Sequence, residues 1–521
     1  MLSRQTVGWT IGAAILLLIA ALFAALFAAP ENPAAPAIDI ADLLRMTLTQ
    51  AAISTTVATI SGTAIAIALS RLNFRGRALT ISILSSAIVA PAIAVALGLL
   101  TIWGRAGLIA DATSALGVTW NWSIFGLHGI VLAHAVLDAP LVARILIDRL
   151  DAIPADRLKL GQCLGLGPWQ RIRIVDWPAL APALPGAIGL VFLLCFTSFP
   201  VVFLLGGGPA NQTFEVAIYG AVRQSFDLGG AAQLALVQML ACLVVILPVL
   251  LAAPQFGETA THRGYVWRPG ATGSAISALI VAMGLLFYVS PLIAPLLRGL
   301  TAQNLLRLFA LPSFWQALTT SLLIGTASAL LTAILALQLS LARAGLRSRP
   351  ARTALLLPAY AYLLTPAVVI SLGLFLIVRA MGFAPQSAAP FALIIGSVLL
   401  ALPFALSSMA PAADAIAARY GKLIQSLDLG PLTRWRFIEW PLMRTSAGTV
   451  LAMAFCFSLG DLGIIALFGT EQFATLPWAI NRALGAYRTN DAAAMTAILL
   501  VLNFAVFLVL PRLIAGRHTD A

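Results

Sequence analysis

Lys159 to Pro178 reads KLGQCLGLGPWQRIRIVDWP, and Lys422 to Pro441 reads KLIQSLDLGPLTRWRFIEWP. Aligned without a gap, 11 of the 20 positions are identical, and the two stretches hold the only lysines in the chain, Lys159 and Lys422. Each is a basic island between long apolar runs. The chain therefore presents one polar handle twice, which implies two related halves built on the same plan.

The surrounding composition fixes the class. The chain is 61% hydrophobic and 10% charged, against about 45–50% and about 25% for soluble domains. A mean hydropathy of +0.98 over 521 residues marks a polytopic membrane protein. Helices are expected, because every backbone N–H and C=O in lipid must pair within its own segment. A barrel would need alternating segments of about 10 residues, and the apolar runs are far longer. The net charge of +12 does not indicate nucleic acid, since basic loops on the inner side of a membrane account for it. Cys163, Cys195, Cys242 and Cys456 lie in no CxxC or zinc spacing. Cys195 and Cys456 fall in matching helices and read as small buried apolar residues.

In chain order, a first apolar run near Gly8–Ala29 is too long for a signal core and reads as a retained helix with its N-terminus inside. Spans follow near Met46–Ser70, Ala78–Trp103, Ile124–Ile147, Pro185–Leu205 and Ala231–Ala253. A polar connector, 254–273, contains His262, Arg263 and Arg268. Beyond it lie spans near Ser274–Leu296, Phe314–Ala342, Ala354–Val378, Pro390–Ser408, Ala447–Phe468 and Ala492–Pro511. The fold expected is all-α and polytopic, with about twelve transmembrane helices in two pseudo-symmetric six-helix repeats, 1–253 and 274–521. In this topology 23 of the 31 Lys and Arg lie inside and eight outside, which puts both termini and both repeated segments in the cytosol. Trp120 and Trp122 in an outer loop suit the membrane interface. The repeat extends further: PAIAVALGL from Pro91 matches PAVVISLGL from Pro366, and LCFTS from Leu194 matches FCFSL from Phe455. Matching segments keep the same orientation, so two parallel halves are available to line one central path.

Within the repeated segment, Leu160, Cys163 and Leu164 share one helical face by their spacing, with Gln162 away from it and Lys159 at its edge. Leu423, Ser426 and Leu427 repeat that face, beside Lys422 and Gln425. Gly165 follows in the first copy. Gly167-Pro168 and Gly430-Pro431 then break the helix. Arg171 and Arg173, or Arg434 and Arg436, come next, and Asp176-Trp177-Pro178 or Glu439-Trp440-Pro441 mark re-entry toward the membrane. A loop resting on anionic lipid would need only the basic residues. Holding Lys, Gln, Gly-Pro and Trp-Pro at matched spacing in two halves points to docking of a partner.

These segments resemble the cytoplasmic loop of the membrane subunits of ABC importers, whose pattern is Glu-Ala-Ala, a spaced Gly, and a Pro on re-entry. Gly165 and Pro178 match. Lys159-Leu160-Gly161 and Lys422-Leu423-Ile424 replace Glu-Ala-Ala, and Asp428 takes the place of the second Gly. Such departures are typical of fused two-repeat permeases for iron(III) and thiamine. Cys195 to Leu228 is similar to both kinds, and SLGDLGIIALFGTEQFATLPWAINRALGAYRTNDAAA (Ser458 to Ala494) is most similar to the thiamine/thiamine pyrophosphate permeases. The resemblance implies the type I ABC importer permease fold, in the bacterial inner membrane. It also implies a separate cytoplasmic ATPase homodimer docked on the two segments, with ATP bound there, and a periplasmic binding protein outside. The chain itself is expected to hold no cofactor. It has no GxxxxGK[ST] loop, no catalytic carboxylate pair, and four scattered histidines (His128, His134, His262 and His518) without metal-ligand spacing.

For the substrate path, Asp461 in SLGDLG is the residue of interest, because an acid within the membrane is costly and faces a cavity or a partner. A carboxylate suits the thiazolium cation of thiamine. The other reading is an acid that caps backbone N–H groups or pairs with Arg482 or Arg488. Ser198 and Ser458, in matching helices, are the further path candidates. An iron(III) permease is the alternative of the same architecture. An ion-coupled secondary transporter would have to rely on Asp138 and Asp461, and a membrane enzyme finds no nucleophile–base set.

Overall fold

The computed structural model describes residues 4–30, 39–105, 107–252, 265–268, 270–360 and 365–515. The outer stretch 31–38, the connector around His262 and Arg263, and the tail beyond 515 lie outside the described residues. Every regular element among those described is helical. Among the described residues, ten helices are long and apolar enough to cross a bilayer, and an eleventh crossing counts if Pro168–Leu180 and Leu184–Phe196, bent by 67°, form one broken span. The shorter apolar helix Ala367–Ala380 falls in the expected ninth span. This agrees with the all-α polytopic fold of about twelve helices.

Several spans are not the single rods expected. Ala78–Trp103 is instead Arg77–Ser85, a tight turn Ser86–Val89, and Ala92–Trp103. Pro91 has no N–H to continue the helix, and it pushes Ala90 into an extended conformation (ψ 122). Pro185–Leu205 is likewise split into Leu184–Phe196 and Phe199–Leu205, with Ser198 extended between them and Pro200 in the first turn of the restart. The span expected at Ala447–Phe468 ends at Gly460, and a short turn Ile465–Phe468 follows the break at Asp461. In contrast, the span expected at Pro390–Ser408 belongs to one 42-residue helix, Pro385–Ser426, which runs into the second repeated segment.

The chain forms two compact units that cut across its order. One comprises Met1–Ala37, Ala217–Met239 and Gly299–Ala521, and the other Ile38–Val216 and Leu240–Arg298. In the first unit, Pro312–Ala344, Pro385–Ser426, Trp440–Gly460 and Thr489–Ala515 pack together, and Arg4–Phe27 lies against Pro312–Ala344, Arg349–Tyr360 and Ala367–Ala380. In the second, Ile40–Arg71 packs along Leu127–Asp151 and Leu184–Phe196.

Glycine permits the closest approaches, as expected where helices associate without a hydrophobic drive between them. A Cβ added at Gly98 would lie 1.7 Å from the Pro291 carbonyl oxygen on Ala271–Gly299. At Gly373, the matching position of the repeat, it would lie 2.8 Å from Leu22 Cδ2 on Arg4–Phe27. Each unit therefore seats the leading helix of the other sequence repeat against the same glycine.

Candidate docking site

The two repeated segments fold alike. Helix Ala155–Cys163 ends at Gly165, in the left-handed region at φ +63, where the Gly165 N–H donates to the Gln162 carbonyl at 3.0 Å and the Leu166 N–H to that of Gly161 at 3.2 Å. In the second copy Asp428 occupies that conformation at φ +44, with its N–H to Gln425 O at 3.3 Å and the Leu429 N–H to Ile424 O at 3.2 Å. Both are helix stops with an αL residue after the last turn. Asp tolerates that region better than most residues, so the departure from glycine preserves the turn.

The chain restarts at Pro168 and Pro431, each in the first position of a new turn, where a missing N–H costs nothing. One wide, five-residue turn follows in each copy, Ile172–Asp176 and Trp435–Glu439, and then Trp177-Pro178 or Trp440-Pro441. Such wide turns arise where the helical ladder is interrupted. Pro178 cannot donate to the Ile174 carbonyl one turn back, and Arg157 Nη2 donates to it instead at 3.0 Å.

Most polar and charged residues of the segments separate into an exposed set and a buried set. Lys159, Gln162, Arg173, Lys422, Gln425 and Arg436 are exposed, as are the ridge residues Leu160 (60%), Leu164 (68%), Leu423 (47%) and Leu427 (58%). Exposed Trp177, Pro178, Trp440 and Pro441 lie at the re-entry. The two acids at the re-entry are buried, Asp176 at 1% and Glu439 at 0% exposure, and so is Arg171, whereas Asp428 at the second helix stop is exposed. Arg171 therefore faces the fold and not solvent. Its Nη1 donates to the Trp267 carbonyl at 2.6 Å, and its guanidinium lies 4.6 Å from the Trp267 ring. Arg434 is half-buried beside Glu439.

A contact not anticipated from the sequence distinguishes the copies. Tyr265 and Trp267, at the described end of the connector, fasten to the first segment: Tyr265 bonds the Gln162 side chain, and Trp267 packs with Leu158 and Val175. A Cβ at Gly161 would lie 2.8 Å from the Trp267 ring, which explains glycine there, whereas the second copy fills the position with buried Ile424. No local periodicity links position 161 to position 267.

The substrate-path candidates lie at helix breaks. Asp461 terminates Trp440–Gly460, and its Oδ2 accepts the Ile464 N–H at 2.9 Å. Arg482 bonds Glu471 and Arg488 bonds Asp491, both at 2.7 Å, so the carboxylate serves the backbone in the capping manner. Ser458 donates to Ser397 Oγ at 3.1 Å in the same unit, and Ser198 lies at the break in the other unit. Sequence reading missed one buried cluster. Asp138 Oδ2 lies 3.5 Å from His134 Nδ1 and 3.3 Å from Cys195 Sγ, so that three ligand-type atoms converge. The i, i+4 spacing of His134 and Asp138 was its one sequence signal.

No family model matches the chain. It is similar to the "Thiamine transport system permease protein ThiP" of Brucella melitensis, with 37% identity over 478 residues, covering 91% of this chain and 88% of that protein. The proteins of the same name from Escherichia coli and Salmonella typhimurium are 34% identical over 481 residues and 33% over 484, each alignment covering 91% of this chain and 89% of the relative.

Proposed function

Since the chain belongs to the thiamine transport system permease family, we propose that it is the membrane-spanning subunit of an ABC importer, carrying thiamine or its phosphates from periplasm to cytoplasm. It spans the bacterial inner membrane with both termini in the cytosol, a topology that the excess of Lys and Arg in the expected inner loops supports. A separate ATPase homodimer docks one subunit on each repeated segment and supplies the ATP chemistry. A periplasmic binding protein delivers substrate to the outer face. ATP-driven closure displaces the two segments, and the permease alternates between outward-open and inward-open states through that coupling.

The observation that carries this reading is the paired apolar ridge. Leu160 with Leu164, and Leu423 with Leu427, stand exposed on matching turns of segments too polar to lie in lipid. Exposed apolar groups repeated in this way, among polar neighbours, mark a protein interface. Coverage of 91% of the chain by thiamine permease relatives supports thiamine over iron(III) as the cargo.

Uptake of radiolabelled thiamine by proteoliposomes containing this chain, its ATPase and its binding protein tests the whole reading. ATP-dependent accumulation is the expected result. Uptake independent of the ATPase would overturn it. ATP hydrolysis stimulated by an iron-loaded binding protein, without thiamine uptake, would move the cargo to iron.

A further inference from the structure

Both repeated segments end on the same device, a buried acid held between two arginines, which are themselves nearly buried in the first copy and about a third exposed in the second. In one unit Asp176 Oδ2 accepts from Arg71 Nη2 at 3.0 Å, while Arg171 Nε lies 3.6 Å from its other oxygen. In the other unit Glu439 Oε1 accepts from Arg4 Nη1 at 2.6 Å and lies 2.5 Å from Arg434 Nε. One arginine of each pair precedes the acid across the wide turn. The other comes from a distant helix: Arg71 is the last residue of Ile40–Arg71, and Arg4 the first of Arg4–Phe27.

A buried ion pair adds little net stability over apolar packing of the same volume, so stability alone is a weak reason to build this device twice. A tie is what it does provide, because charge-assisted bonds to a guanidinium are strong and directional. Each docking segment is already joined covalently to the helices that enter and leave it. The ion pair adds a third helix, 105 positions away in the first copy and 435 in the second.

On the premise that an ATPase drives the docking segments, we propose that Asp176–Arg71 and Glu439–Arg4 are transmission ties. Through them, displacement of a docking segment is carried to the ends of Ile40–Arg71 and Arg4–Phe27. Asp176 and Glu439 are then positioning residues of the transport cycle, facing inward while Leu160, Leu164, Leu423 and Leu427 face the ATPase.

The test uses the complete reconstituted importer carrying Arg4→Ala or Arg71→Ala. The ATPase remains bound and basal hydrolysis stays within about twofold, while thiamine taken up per ATP hydrolysed falls by about tenfold, the scale of a lost coupling. Arg4→Lys and Arg71→Lys, which keep a cation within reach of the acid, recover most of the yield. Alanine variants whose uptake per assembled complex stays within about twofold of the parent overturn the proposal, whatever their melting temperature. If the alanine variants do not assemble, Glu439→Gln and Asp176→Asn are measured against the same two outcomes, and failure of all four to assemble overturns the ties in favour of a folding role. An unmodified complex without ATP-driven uptake refutes the premise instead, and so is told apart from failure of the ties.

Discussion

Truncating the exposed ridge, by Leu164→Ala together with Leu427→Ala, separates docking from folding. The two side chains are 68% and 58% exposed, so the larger part of each is free for a partner and the smaller part packs within the permease itself. Fully burying a leucine is worth about 1.5–3 kcal/mol. Burying the exposed portion in a partner, less what alanine retains, therefore comes to about 1–1.5 kcal/mol at each site. The pair should cost about 2–3 kcal/mol, a loss of about 30- to 150-fold in affinity for the ATPase dimer. Titration of labelled ATPase onto immobilised, detergent-solubilised permease measures that loss. Thermal unfolding of the permease alone should shift by no more than about 1 °C, since only the smaller part of each side chain packs within it. Affinity within about twofold of the parent, with both leucines removed, would refute the assignment of the ridge as the docking surface.

Other outcomes follow from the packing. Gly98→Ala places a methyl group 1.7 Å from the Pro291 carbonyl, so helix Ala271–Gly299 must shift; a loss of about 3 kcal/mol, at the upper end for overpacking, should appear in thermal unfolding. Gly373→Ala meets the movable Leu22 Cδ2 at 2.8 Å and Leu22 Cβ at 3.2 Å, with the Leu22 backbone no nearer than 3.5 Å, and should cost less, about 1–2 kcal/mol by the same measurement. Asp428→Gly relieves a left-handed residue and should be neutral or stabilising by about 0.5–1 kcal/mol, whereas Gly165→Ala should destabilise by about 1 kcal/mol. Asp461→Ala removes the cap on Ile464 and should cost about 1 kcal/mol, while Asp461→Asn keeps an acceptor and the stability. Uptake by the Asn variant then reports on the charge alone: normal transport would remove Asp461 from the substrate path.

The spans, the repeated segments and their apolar ridges were legible because each is written in local periodicity. Leu160 and Leu164 share a helical face whatever the rest of the chain does. Which charges are buried was not legible. Arg171 and Asp176 look like one more solvated basic stretch, and it takes a wide turn, an arginine 105 positions away and Trp267 from the connector to turn them inward. Helix breaks were half legible, since Pro91 advertises its own break whereas Asp461 lies in a run apolar enough to pass for continuous helix. The seating of each leading helix on the other repeat was not written locally at all. Beyond its first turn Arg4–Phe27 is apolar on every side, as a helix partly facing lipid can be, so apart from Arg4 its sequence carries no address for its seat against Gly373.

The two docking helices are mounted differently. The second is the end of an unbroken helix, Pro385–Ser426, of 42 residues, about 63 Å long at 1.5 Å per residue. The first is a separate helix, Ala155–Cys163, set off from Leu127–Asp151 by Ala152-Ile153-Pro154. A push on the second travels along one continuous helix, with Pro390, Pro403 and Pro411 inside it as points where it can bend. The same push on the first meets a knuckle, where Pro154 interrupts the helical hydrogen bonds while its own φ stays fixed, so the flanking torsions absorb the angle. Under the proposed ATPase drive, equal strokes on the two segments would thus be converted into unequal ones, with one side behaving as an oar and the other as a wrist.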